Sequence, residues 1–192
     1  MDFARYDARQ ARDRVPDFLD LYRDVYSVPP YLDDPFFSVQ TYAVRLDGAL
    51  AMAGFEIVAA SLDGRIIGTA HGVTLPPGAA WWRSLAESLP DHFQVAADQK
   101  RAFWLRELMV REAYRNKGLG RQLHDTLRAG RREDLVTMTV AIDNEPARSA
   151  YLRWGYEIIG RVRHAPESPV YDAMVRPTGS GRPNDEARRH LR

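Results

Sequence analysis

"REAYRNKGLGRQL", residues 111–123, decides how this chain is read. It follows an apolar run, "LMV" at 108–110. It leads into "LGRQLHDTLRAG", where Leu119, Leu123 and Leu127 recur every fourth residue, as one face of a helix does. Gly130 can end that helix. At the junction stand Gly118 and Gly120, amid Arg115, Lys117 and Arg121. One reading is a tight strand-to-helix connector. The other is an anion cradle, in which glycines let successive backbone N–H groups face one point and the following helix adds its positive end. Two phosphate-binding loops do not fit. A Walker loop needs Gly-Lys-Ser/Thr, whereas Leu119 follows Gly118. A dinucleotide turn wants a third glycine where Leu123 stands.

Outward from this junction the second half alternates. "FWLRELMV" (103–110) reads as a strand, "TMTVAI" (137–142) as another, and "PARSAYLRW" (146–154) as a short helix closed by Gly155. "YEIIGRVR" (156–163) and "VYDAMVR" (170–176) add two more strands. In the first half, "FARYDA" (3–8) reads as a strand. A helix follows, with Val15, Phe18, Leu19 and Tyr22 at helical spacing and Pro16 near its start or a kink. "VPPYLDDPFF" (28–37) is an aromatic, Pro-rich loop, and residues 38–54 read as a helix broken near Gly48. Two strands over 56–75 are joined by Asp63-Gly64, a strong hairpin signal. Residues 75–102 are irregular apart from a short helix within "WWRSLAESL" (81–89), and 177–192 read as a mobile tail. No repeat or second boundary is visible, so the expectation is one mixed α/β domain over residues 1–176.

Composition excludes several classes. The chain has 192 residues, 45% hydrophobic and 28% charged, with a net charge of +1. That balance does not supply the broad basic face of a nucleic-acid protein. There is no cysteine, which removes disulfides, thiolate nucleophiles and cysteine metal sites. Only Lys100 and Lys117 are lysines; arginine carries the remaining positive charge. The start, "MDFARYDARQARDR", is charged and reads as no secretory leader, and no window is apolar enough for a membrane span. The expectation is a cytoplasmic protein without a metal.

Two motifs together resemble one family. Arg115-x-x-Gly118-x-Gly120 after "LMV" is similar to the acyl-CoA pyrophosphate motif of the GNAT superfamily of N-acetyltransferases. "NEPARSAYLRWGY" (144–156) is similar to that superfamily's later segment, and one helix and one strand separate the two. The close resemblance covers roughly residues 100–160. It implies a mostly antiparallel sheet with central splayed parallel strands, flanked by helices, and acetyl-CoA as co-substrate. Backbone groups of Leu108, Met109 and Val110 would bond the pantetheine arm. The amides of Asn116, Lys117, Gly118, Leu119 and Gly120 would hold the diphosphate, with Arg115, Lys117 and Arg121 nearby.

The chemistry needs two proton transfers. A primary alkylamine with a pKa of about 10.4 is neutral on the order of one time in a thousand at pH 7, so a base is useful. The leaving thiolate needs a proton. The resemblance maps Tyr151 onto the family's acid near the sulfur, whereas the stripe of Ala147, Ala150, Tyr151 and Trp154 would make it core. Asn144 can bond the pantetheine, cap its helix, or do both. Glu107, in an otherwise apolar strand, is the candidate base, its pKa raised by desolvation; the alternative is a structural pair with Arg106 or Arg161. His92 and His71 are weaker bases. Tyr31, Asp33, Asp34, Phe36, Phe37, Trp81, Trp82 and Phe93 offer aromatic walls and negative charge to an acceptor, or else pack under loops.

These features point to transfer of an acetyl group to a small-molecule amine by direct attack in a ternary complex, by a monomer or homodimer. Peptide N-terminal or aminoacyl transfer, and a non-catalytic CoA sensor, are the alternatives.

Overall fold

The computed structural model describes residues 1–29, 31–83, 85, 101–163 and 168–178. Seven strands form one sheet: β1 (Asp2–Asp7), β2 (Glu56–Leu62), β3 (Arg65–Leu75), β4 (Ala102–Val110), β5 (Leu135–Ala141), β6 (Glu157–Arg163) and β7 (Val170–Pro177). Their order is β1-β2-β3-β4-β5-β7-β6, mostly antiparallel with one parallel pair. The helices are α1 (Ala8–Arg12), α2 (Val15–Tyr26), α3 (Val39–Leu50), α4 (Ala80–Arg83), α5 (Leu119–Arg128) and α6 (Glu145–Arg153). Two compact units divide the chain. Most of the first is Met1–Thr74 and Trp104–Ala129; the second comprises Leu75–Phe103, Gly130–Arg163 and residues from Pro169 onward.

In the first unit, local chemistry sets each boundary. Asp7 caps α1 in a capping box with Gln10. Pro16 falls in the first turn of α2, where its missing N–H breaks no helical bond, so the helical pattern of 8–26 is two helices with a break at Asp13 and Arg14. Asp63 and Gly64 both have positive φ (50° and 78°), which makes the β2–β3 connection the expected tight hairpin. One sequence expectation is corrected. Residues 39–50 form one helix straight through Gly48, whose φ is not left-handed and where an added Cβ would meet nothing within 4 Å. An isolated glycine costs a helix only about 1 kcal/mol, and Tyr42, Leu46, Ala49 and Leu50 outweigh it by burying one face.

The core of this unit joins Phe18, Leu21, Tyr22 and Val25 of α2 and Tyr42, Leu46 and Ala49 of α3 to Ile57, Ala59, Val73 and Met109 of the strands. Gly68 has no room for a side chain: a Cβ there would sit 2.9 Å from Leu123 Cδ1 and 2.9 Å from Met109 O. Glycine therefore lets α5 lie close on the sheet. Arg5 of β1 donates to the carbonyl of Thr126 in the last turn of α5, where a cation complements the helix dipole. Arg111, at the end of β4, is buried. It donates to Ile66 O (2.8 Å) and pairs with Asp20 (2.6 Å) and Asp24, tying β4 to α2.

In the second unit β7 lies between β5 and β6 and pairs antiparallel with both. Asp172 of β7, nearly inaccessible, is met by Arg148 of α6 at 2.7 Å and Arg161 of β6 at 3.5 Å. Trp81 donates its indole N–H to Thr137 Oγ1 (3.1 Å). No described helix is long and apolar enough to cross a membrane.

Candidate active site

Two features of the first unit lie on or just after one strand. The glycine turn is built by backbone conformation. Asn116 (φ 59°) and Gly118 (φ 80°) are both left-handed, and Gly118 is the N-cap of α5. The first helical bond runs from Gln122 N to Gly118 O (3.1 Å), so the amides of Leu119 and Gly120 precede it and have no intrahelical partner. Gly120 is not left-handed. A Cβ on it would rest at ordinary contact distance, 3.5 Å from Leu108 and 3.9 Å from Val110. The turn thus sits against the strand residues read as the pantetheine rail. The cations are braced locally. Arg115 Nε donates to Val110 O (3.0 Å), Lys117 Nζ to Ala113 O (2.8 Å), and Arg121 Nε to Asp125 (2.5 Å). The geometry fits a diphosphate through backbone N–H groups and the helix end, with these side chains contributing field.

Glu107 is the second feature. Its carboxylate accepts a hydrogen bond from Tyr26 OH at 2.8 Å. Burial lifts its pKa above the ordinary carboxylate value, while Arg45, the Tyr26 hydroxyl and Arg106 pull the other way. Tyr26 and Tyr42 are shifted up, first by burial and then by the Glu107 charge. Arg161 is not the partner of Glu107; it faces Asp172. Arg106 and Glu107 are consecutive on β4, yet Arg106 reaches Met52 after α3 (Nη1 to Sδ 3.5 Å) and Glu107 reaches α2.

Around Glu107 the aromatics form a continuous stack. Tyr22 lies on Tyr42 (4.0 Å between ring centres) and on Tyr26 (4.3 Å), and Tyr26 on Phe37 (5.5 Å). Tyr31 meets Tyr26 edge-on at 5.0 Å. Tyr31 and Phe37 are half-buried, and Asp33, left-handed at φ 66°, is exposed. Asp34 is spent capping the following 3-10 turn through Phe36 N (2.8 Å). His71 is buried and held neutral, its pKa lowered to about 3 by burial and then by Arg106 and Arg45, which makes it a poor base.

The second unit holds the other candidates. Tyr151 is on α6, a helix with no fully buried residue. The packing alternative therefore gives only partial burial, with edge-on contacts to Trp154 (5.3 Å) and Tyr156 (6.0 Å). Asn144 accepts from Ala147 N (3.3 Å) as the N-cap of α6. Trp81 and Trp82 are buried, 8% and 3% exposed, so in this unit they are packing side chains. His92 and Phe93 lie outside the described residues.

Sequence reading named Arg106 beside Glu107 but missed Tyr26 and Arg45 as its neighbours. Tyr26 stands 81 positions before its partner. The visible signal was Tyr22 and Tyr26 four apart on a helix, and two adjacent charges in an apolar strand.

The Acetyltransferase (GNAT) family profile matches residues 15–156. No functionally curated protein matches the chain in sequence. Among solved structures, an aminoglycoside 6'-acetyltransferase type Ii is similar over 95% of this chain and 100% of its own, at 18% identity and a TM-score of 0.62. The ribosomal-protein-S18-alanine N-acetyltransferase from Escherichia coli matches over 95% and 97%, at 14% and 0.61. An aminoglycoside 6'-N-acetyltransferase complexed with coenzyme A matches over 96% and 100%, at 15% and 0.59. At such identities the likeness establishes the fold alone.

Proposed function

Since the chain belongs to the GNAT acetyltransferase family and is therefore an acyltransferase, we propose that it moves an acetyl group from acetyl-CoA to a small-molecule amine by direct attack in a ternary complex. The observation that carries this reading is the desolvated, Tyr26-bonded Glu107 within a stack of aromatics, three residues before the glycine turn's strand rail ends at Val110. Acetyl-CoA, when bound, supplies an activated carbonyl and a thiolate leaving group. Leu119 and Gly120 N–H groups receive the diphosphate, and the backbone of Leu108–Val110 lines the pantetheine. Glu107 accepts a proton from the incoming ammonium at a carboxylate oxygen; its raised pKa brings it closer to working pH, where a general base is most effective. Tyr151 carries on its hydroxyl the proton that a departing thiolate requires. With no cysteine in the chain, a Cys-linked acyl-enzyme has no nucleophile.

The aromatic stack supports a bounded acceptor over an extended peptide, which is the basis for preferring a small molecule. The test is a panel of amines with acetyl-CoA, following released CoA with a thiol reagent. At least one amine is expected to be turned over. Tyr151→Phe is expected to lower kcat by roughly 10²-fold with CoA affinity unchanged. CoA binding without turnover of any amine would favour a sensor.

A further inference from the structure

Two guanidinium groups stand beside Glu107, and no ion pair joins either to a carboxylate among the described residues. Arg45 spends Nη1 on Phe36 O (3.0 Å) and Nη2 on Tyr22 OH (3.0 Å), and its guanidinium lies 4.8 Å over the Phe36 ring. Among the described residues Arg106 meets the Met52 sulfur (3.5 Å) and the face of Trp104 (4.3 Å). A guanidinium has five N–H donors, so both keep donors in reserve. Neither set of contacts is anionic, so for these two half-buried cations the nearby negative charge is that of Glu107 alone among the described residues.

The surroundings repeat this imbalance. Tyr42 OH and His71 Nδ1 are buried, in residues 1% and 2% exposed, and neither has a hydrogen-bond partner. They belong to the same cluster: Arg45 bonds Tyr22, Tyr22 stacks on Tyr42, and Tyr42 faces the His71 ring at 6.4 Å. Among the described residues, the charged groups acting on Glu107 are Arg45 of α3 and Arg106 of β4; Tyr26 of α2 bonds it, Tyr42 of α3 feels its charge, and His71 of β3 feels both arginines. Two cations act on one carboxylate, and two unbonded polar groups lie in the same cluster. Burial and mutual repulsion between Arg45 and Arg106 already depress the Arg106 pKa.

We propose that the acceptor is an amine that also carries a carboxylate, with Arg106 and Arg45 holding the carboxylate and Glu107 the amine. Guanidinium and carboxylate match in geometry, and their charge-assisted bonds are the stronger kind. The Tyr42 hydroxyl is placed to donate to the same anion. A plain cationic amine would satisfy Glu107 and leave both arginines as they are. This inference rests on the acetyltransfer reading and narrows its substrate class.

The test compares matched pairs that differ only in the anion: glycine with glycinamide, L-phenylalanine with L-phenylalaninamide, and 4-aminobutyrate with n-butylamine. Released CoA gives kcat/KM for each. We expect the carboxylate member to be favoured tenfold or more in at least one pair, and Arg106→Gln to collapse that ratio toward one. Arg106→Lys should restore part of it. Arg45→Gln is the less clean variant because it also frees Tyr22. Neutral members equal or faster in every pair would overturn the proposal. If no pair is turned over, CoA-loaded protein is scanned thermally with N-acetyl-L-phenylalanine and its amide. A larger Tm shift with the carboxylate, lost in Arg106→Gln, supports the proposal. Equal or absent shifts overturn it. Failure of CoA itself to shift Tm would instead overturn the acetyltransfer reading beneath it.

Discussion

Burial keeps His71 unprotonated until about pH 3, whereas an exposed imidazole takes its proton near 6.5. The unfolded chain therefore binds this proton first, and stability is lost as pH falls from about 6.5 toward 3. At pH 4 the loss comes to about 3 kcal/mol. In His71→Gln the drop in unfolding free energy between pH 7 and pH 4, measured with urea at each pH, should shrink by about that amount; an unchanged drop would show that protonation of His71 does not limit acid stability. Tyr26 acts on the other titrating centre. Its hydroxyl is among the groups that hold the Glu107 pKa down against burial. Tyr26→Phe should raise it further and move the acid limb of the kcat/KM profile to higher pH. An unmoved limb would separate Glu107 from the proton transfer that limits the rate.

At the scale of elements, the two glycines of the turn have separate duties. Gly118 is left-handed and Gly120 is not. Gly118→Ala should cost about 1 kcal/mol and lower Tm by roughly 2–4 °C. Gly120→Glu meets no backbone strain and should fold, yet lose CoA binding by calorimetric titration, because a carboxylate enters the diphosphate cradle. CoA affinity retained by a folded Gly120→Glu would remove that assignment. These elements were legible in the sequence for physical reasons: Asp63-Gly64 between two largely apolar runs for β2, β3 and their turn, and Leu119, Leu123 and Leu127 for α5. Gly48 misled because one glycine's backbone cost is small beside a buried helix face. Of the site, Glu107 was visible because a charge in an apolar strand is conspicuous. Its partners were not, because Tyr26 and Arg45 come to it through the packing of α2 and α3, which local pattern does not encode.

For the whole molecule, ligand linkage gives the most direct check of the donor. A ligand that binds only the native state adds about 2.7 kcal/mol at a hundredfold excess over Kd. For a domain near this size that corresponds to a Tm increase of about 5–10 °C with saturating acetyl-CoA. CoA should give most of it, since the turn and strand address the diphosphate and pantetheine. ATP and NAD, lacking a pantetheine, should give much less. No shift with millimolar acetyl-CoA would return the glycine turn to a plain connector or to another anion.

The strand order also bears on how the chain is made. β7, the last described strand, is flanked by β5 and β6 and pairs with both. A nascent chain that has just produced β5 must elongate through some 28 further residues before β7 begins. At synthesis rates of about 5–20 residues per second that is roughly 1–6 s. Throughout this interval the apolar segment Leu135–Ala141 lacks its β7 neighbour and β6 has nothing to dock on. Exposed strand edges of this kind pair with other chains. Soluble yield during overproduction should therefore depend on translation speed and temperature more than on the stability of the finished protein, and a chain stopped before Val170 would forfeit the middle of its second unit rather than a dispensable end.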